Sequence, residues 1–176
     1  MNVHLNPNWL VWGFVALTAV SAVNIGVQAN SYLTLYSSIG RLQFALSGVF
    51  LRNDTFTGPN VSVQLNATNP TDYSGLQLSK VSFMTYFVAG NSTLFGSPPI
   101  LNAMNVGKPL AAHSSLVWTI VTPIDARGAA LISSFKNDHG GDVIAPTQVA
   151  VLVSSPFLDA TGNQAEYRLV QNLTLT

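Results

Sequence analysis

The apolar positions of this chain fall into two different patterns. From Asn8 to Val27 almost every residue is apolar and none is charged; the first basic residue is Arg41 and the first acid is Asp54. About 20 such residues in a helix cross roughly 30 Å of hydrocarbon. Trp9 and Trp12 stand at one end of the run, and Tyr32 and Tyr36 lie just past the other. That placement suits aromatic anchors at two membrane interfaces. Asn6-Pro7 reads as the helix start, with Asn as the cap and Pro at the first helical position. Thr18, Ala22 and Gly26 recur every four residues and form a helix-packing face small enough for another helix to approach closely. Residues 31–50 fit two templates. Leu35, Ile39, Leu42, Leu46 and Phe50 make a helical stripe, while Leu42, Phe44 and Leu46 alternate with Arg41, Gln43, Ala45 and Ser47 as in a strand.

Beyond Gly58-Pro59 the period becomes two. Val61, Val63, Leu65 and Ala67 alternate with Ser62, Gln64, Asn66 and Thr68, which predicts a half-buried strand ending at Asn69-Pro70. A second strand is expected over Leu76–Ala89, with a bulge near Lys80-Val81 where the phase shifts. Asn91 marks a turn, Gly96–Pro99 a loop, and Ile100–Met104 a short strand. Leu116–Val121 is apolar on both faces and reads as a covered strand. Asp125–Asn137 predicts a helix with Ala130, Leu131, Ser134 and Phe135 inward, ended by Asp138-His139-Gly140-Gly141. Val149, Val151 and Val153 mark another strand, and Tyr167, Leu169, Leu173 and Leu175 mark the last. The fold class is mainly β: an N-terminal transmembrane helix (1–30), a juxtamembrane segment (31–39), and an extracytoplasmic immunoglobulin-like β-sandwich (40–176) of about seven strands with one helix.

Composition narrows the setting. Only 8% of the 176 residues are charged, seven basic and seven acidic, against 48% hydrophobic. With no basic run, nucleic acid has no electrostatic footprint to hold. There is no cysteine, so disulfides and thiolate metal sites are excluded. Five glycosylation sequons begin at Asn53, Asn60, Asn66, Asn91 and Asn172, all after the apolar run; Asn69 is excluded by Pro70. Asn66 and Asn172 fall on outward strand positions. The apolar run is longer than a signal-peptide core and lacks a basic flank, so a retained anchor is expected.

The stretch Val61–Leu94 resembles the water-stress and hypersensitive-response (WHy) domain of the late embryogenesis abundant type 2 family. Asn69-Pro70 after an alternating strand, Leu76 and Leu78, Phe83 and Tyr86, and the Ala89-Gly90-Asn91 turn carry the likeness. The resemblance implies an immunoglobulin-like sandwich and brings no catalytic residues. The low Lys and Glu content departs from soluble stress-protein members and argues against a desiccation role. Sequons and sparse charge point instead to an archaeal cell envelope.

Candidate chemistry is thin. Asp138, His139 and Asp142 are the one grouping with metal-ligand character, and a polar helix-to-strand loop explains it as well. His113-Ser114-Ser115 lacks a nucleophile elbow. Glu166 is the single Glu, which disfavours a paired-carboxylate hydrolase. Neither a catalytic site nor a cofactor is expected. The expected role is an accessory or structural subunit of a membrane complex, anchored once in the cell membrane. Its expected partners are the lipid bilayer, N-linked glycans, and other envelope subunits or copies of itself. The alternative is a filament subunit of the archaeal pilin or archaellin kind, with the N-terminal helix in the filament core. Residues 28–50 discriminate: one unbroken helix into this region would favour the filament, and a strand at 40–50 the anchor.

Overall fold

The computed structural model describes residues 7–55, 58–94, 100–160 and 162–176, so Asn6 and the Gly96–Pro99 loop lie outside the described residues. The chain forms two compact units, Met1–Gly40 and Arg41–Thr176.

The first unit is one helix, α1 (Pro7–Ile39), of 33 residues. At ~1.5 Å per residue it is about 50 Å long. Its large apolar side chains from Trp9 to Leu33 are exposed. The two templates for 31–50 both apply, in succession: helix to Ile39, then strand from Gln43. The break falls at Gly40, whose missing side chain makes it a poor helix former.

The second unit is a mainly β sandwich. Its strands are β1 (Gln43–Asp54), β2 (Gly58–Asn69), β3 (Leu76–Thr85), β4 (Val88–Ala89), β5 (Ser92–Thr93), β6 (Ile100–Leu110), β7 (Ser114–Pro123), β8 (Ile144–Ser154) and β9 (Ala165–Thr174). Two helices accompany them, α2 (Ala126–Asp138) and α3 (Pro156–Ala160). One sheet runs β1-β2-β7; the other is built on β8-β3-β6, with β9 and the small β4-β5 hairpin also on β8. All these pairings are antiparallel. Among the described residues seven long strands, three facing four, make the sandwich.

The core is the inward set of each strand. Val61, Val63, Leu65 and Ala67 of β2 are buried, as their alternation predicts, and they face Leu78, Val81 and Phe83 of β3 with Val149, Val151 and Val153 of β8. The β3 bulge lies at Ser79: its pairings with both β6 and β8 shift register between Leu78 and Lys80. That restores the inward phase of Val81 and Phe83. β9 leaves its sheet at its end. Leu175 bridges Val49, the Leu51 amide donates to the Thr176 carbonyl at 3.1 Å, and the Thr176 amide donates to the Val49 carbonyl at 3.0 Å. This covers the edge of β1 at Val49–Leu51.

Three expectations need correction. The strand at Ile100 runs on to Leu110, because β3 pairs with it along its whole length. β7 is not covered: Val117 is 62% and Val121 38% exposed. It pairs only with β2 in its sheet, and α2 packs over β2 rather than β7. α2 is capped by Asp125, whose carboxylate accepts from the Gly128 amide at 2.6 Å. Its buried residues are Ile132 and Phe135, whereas Ala130 and Ser134 are exposed. Ala130, Leu131 and Ile132 are consecutive apolar residues, so their pattern alone left the rotation of the helix open.

Candidate functional site

The most constrained polar cluster sits where β2 ends. Asn69 is fully buried. Its Nδ2 donates to the carbonyls of Tyr73 (2.8 Å), Ala111 (3.1 Å) and Leu110 (3.2 Å). Its Oδ1 accepts from the Thr71 amide (3.1 Å) and hydroxyl (2.6 Å). The local turn is the one expected of Asn before Pro. The bonds to the β6–β7 turn are long-range and could not be read from spacing. The same turn holds His113 at φ +50, a left-handed conformation costly for a residue with a Cβ. Its amide donates to the Thr71 carbonyl at 3.2 Å, and its Nε2 pairs with Asp72 Oδ1 at 2.6 Å. His113 therefore faces a carboxylate. Ser114 Oγ donates to the Ala111 carbonyl at 2.6 Å, and Ser115 bonds Thr68 across the sheet at 2.9 Å. The cluster is a staple joining two loops.

The 138–142 loop is used by the helix end. The Gly140 amide bonds the Asn137 carbonyl and the Gly141 amide bonds the Lys136 carbonyl, with both glycines at positive φ. These are the two bonds of a Schellman stop. His139 Nδ1 lies 2.8 Å from the Phe135 carbonyl, its ring packs on Phe135, and Asp138 accepts from Ser134. Among the described residues no group of three acidic or histidine side chains is arranged to hold a metal.

The sequons separate by exposure. Asn53, Asn91 and Asn172 are exposed. Asn66 is half-buried, with its Oδ1 buried and unpaired. Asn60 is only 4% exposed and its Nδ2 donates to the Gly58 carbonyl at 3.2 Å. In the folded domain Asn60 is therefore a poor position for a glycan, since N-glycans occupy surface positions. Asn60 alternates with the core residue Val61, yet it is buried as well.

A shallow concavity of about 590 Å³ lies on the outer face of β3, β6, β8 and β9, lined by Met84, Leu101, Ala150, Glu166, Arg168 and Val170. Glu166 accepts from Arg168 Nε at 2.7 Å, and this bond raises the guanidinium pKa further. On the inner face of β9, Tyr167 packs on Phe44 of β1 with ring centroids 4.7 Å apart, and burial pushes its phenol up to about 12.

On α1, Thr18, Ala22 and Gly26 do share one face. Of the carboxamides on this helix, Asn24 and Gln28 stand one turn apart, roughly 140° around from that face at 3.6 residues per turn. Gln28 Nε2 donates to Asn24 Oδ1 at 3.4 Å. Asn24, with Ser21, stands out in the sequence as a polar group in the span, but the pairing with Gln28 does not follow from small-residue spacing; its signal was two amides one turn apart in an apolar run.

No family profile and no curated protein matches the chain. Solved structures resemble it weakly. A solution structure of a protein described as late embryogenesis abundant is 11% identical over 91% of this chain and 85% of its own, with a TM-score of 0.44. A solution structure of an Arabidopsis thaliana protein is 15% identical over 76% of this chain and 82% of its own, with a TM-score of 0.48.

Proposed function

We propose that this chain is a non-enzymatic, single-pass protein of the cell envelope, an accessory or structural subunit with its sandwich outside. One observation carries the reading. A helix long and apolar enough to cross a membrane, uncharged throughout, precedes a β unit that has a core of its own. Uncharged apolar surface of this extent is costly in water and favourable in lipid. Three exposed sequons on the β unit fit an exterior face. The helix serves as anchor, with Thr18, Ala22 and Gly26 as the close-approach face toward other subunits.

Native membranes washed with alkaline carbonate test the anchor. The chain should stay in the pellet, and its intact mass should include residues 8–27. Release into the wash, or a mature chain lacking that segment, would overturn the reading. Protease added to intact cells should cut the β unit while sparing a cytoplasmic marker. Glycopeptide mass spectrometry should find carbohydrate at one or more of Asn53, Asn91 and Asn172, and none at Asn60.

The strand from Gln43 meets the criterion for the anchor, and a second reading keeps one observation in its favour. α1 continues to Ile39, about 50 Å in all, well beyond the ~30 Å that a bilayer requires. Such a helix also suits the core of an extracellular filament. Electron microscopy of material sheared from cells distinguishes the two: the chain in filaments supports the second reading, the chain in membranes alone supports the first.

A further inference from the structure

The polar groups of α1 differ in how well the helix itself satisfies them. The hydroxyls of Thr18, Ser21, Ser31 and Thr34 each donate to the carbonyl four residues back, at 2.8, 2.8, 2.9 and 2.8 Å. Such groups enter lipid at little cost, because their donors are already used. Asn24 and Gln28 are in a different position. A carboxamide carries two N–H donors and an oxygen with two lone pairs. The one bond between them, Gln28 Nε2 to Asn24 Oδ1, leaves both Asn24 N–H groups and the Gln28 carbonyl directed at the surroundings.

Their depth makes this matter. The midpoint of Trp9–Tyr32 falls between Val20 and Ser21. Asn24 then lies roughly 5 Å beyond it and Gln28 roughly 11 Å, at ~1.5 Å per residue. Both are within the half-thickness of about 15 Å. A polar group at that depth costs free energy unless it is hydrogen-bonded.

We propose that two copies of this chain associate in the membrane through the Asn24–Gln28 face. The proposal rests on the anchor reading above and deepens it by naming a partner. A second copy is the favoured occupant for a geometric reason. A carboxamide is both donor and acceptor, so it can pair with its own duplicate. Two parallel copies anchored at the same depth bring Asn24 opposite Asn24 and Gln28 opposite Gln28 without further design. A different protein would have to place an amide at each of those two depths. The flanking positions fit the same seam: Leu17, Ser21, Asn24, Gln28 and Ser31 are spaced 4, 3, 4, 3, the a/d repeat of a left-handed helix pair. The Thr18–Ala22–Gly26 face stays free for other subunits.

The absence of cysteine gives a clean cross-linking test of the full chain in phosphatidylcholine vesicles. Single-cysteine variants are oxidised and read on non-reducing gels. Leu17→Cys and Ser21→Cys should give disulfide dimers, and Ala22→Cys and Gly26→Cys should remain monomeric. Adding Asn24→Leu and Gln28→Leu to Ser21→Cys should weaken self-association roughly tenfold, whereas Asn24→Gln with Gln28→Asn should restore it. All variants should resist carbonate extraction. Cross-links at 22 and 26 instead, or dimers indifferent to the double leucine variant, would overturn the pairing while leaving the anchor intact. Extraction of the wild-type chain by carbonate would overturn both.

Discussion

Asn69 shows how much one side chain can tie together. It is fully buried and has five hydrogen-bond partners: two in its own turn on Oδ1, and three carbonyls of the 73 and 110–111 segments that share its two N–H groups. Replacing it by Ala strands buried carbonyls, and each unsatisfied buried group costs about 1–3 kcal/mol. Asn69→Ala should therefore lower stability by about 2–4 kcal/mol in urea unfolding. Asn69→Asp should be similarly damaging, since it removes the amide donors and buries a carboxyl. A loss below ~1 kcal/mol would mean water replaces the staple. Asn69 before Pro70 was readable as a strand end. Its reach to residues 110 and 111, across more than 40 positions, was not, because no local period links two loops that meet only when β2 and β6 belong to facing sheets.

At the scale of elements, the strongest agreement between sequence and structure is where one period had no rival. β2 alternates strictly, and Val61, Val63 and Leu65 are all inward; in β8 the run Val149–Val153 is apolar throughout, and its burial alternates with Val149, Val151 and Val153 inward. The bulge in β3 was visible as a phase shift because only a bulge keeps both Leu78 and Val81 in the core. α2 was visible by its cap and its glycine stop; its rotation was not. The cap gives a direct test. Asp125 accepts from the Gly128 amide, so Asp125→Ala should cost about 1 kcal/mol, and Asp125→Ser should recover most of it. Thermal melts of the three proteins check this. Val117 and Val121 show the converse failure: apolar residues on both faces of β7 describe a covered strand equally well as an edge strand that nothing shields.

For the molecule as a whole, closure of the sandwich at β1 and β9 is the feature with a pH consequence. Tyr167 lies at that seam against Phe44, its pKa raised from 10.0 to about 12 by burial. The folded state thus holds its phenol proton when the unfolded chain has lost it. Between pH 10 and 12 the unfolded state binds fewer protons, so stability falls as pH rises through that window and is level below it. Tyr167→Phe should flatten this alkaline decline, as urea midpoints from pH 7 to 11.5 would reveal. An equally steep decline in the variant would assign it to other groups. Ion pairs offer little to oppose it: the two among the described residues, His113–Asp72 and Arg168–Glu166, are exposed and close in sequence or on a surface turn.

Sequence by itself determined the division of the chain, an uncharged apolar helix followed by alternating strands, because hydrophobic period and charge are local properties that each segment must satisfy alone. It also determined the small-residue row on α1 and the sequons, which are patterns of spacing. Tertiary structure decided where α1 stops, since both templates for 31–50 were sound and only the pairing of β1 with β2 draws Gln43 onward into a strand. It decided that Asn60 is buried while Asn172 is not, although both sit in alternating strands, because burial of an outward residue depends on what packs across the sheet. And it separated the satisfied hydroxyls of α1 from the Asn24–Gln28 pair: composition counts both as polar, but only coordinates show which donors the helix has already used.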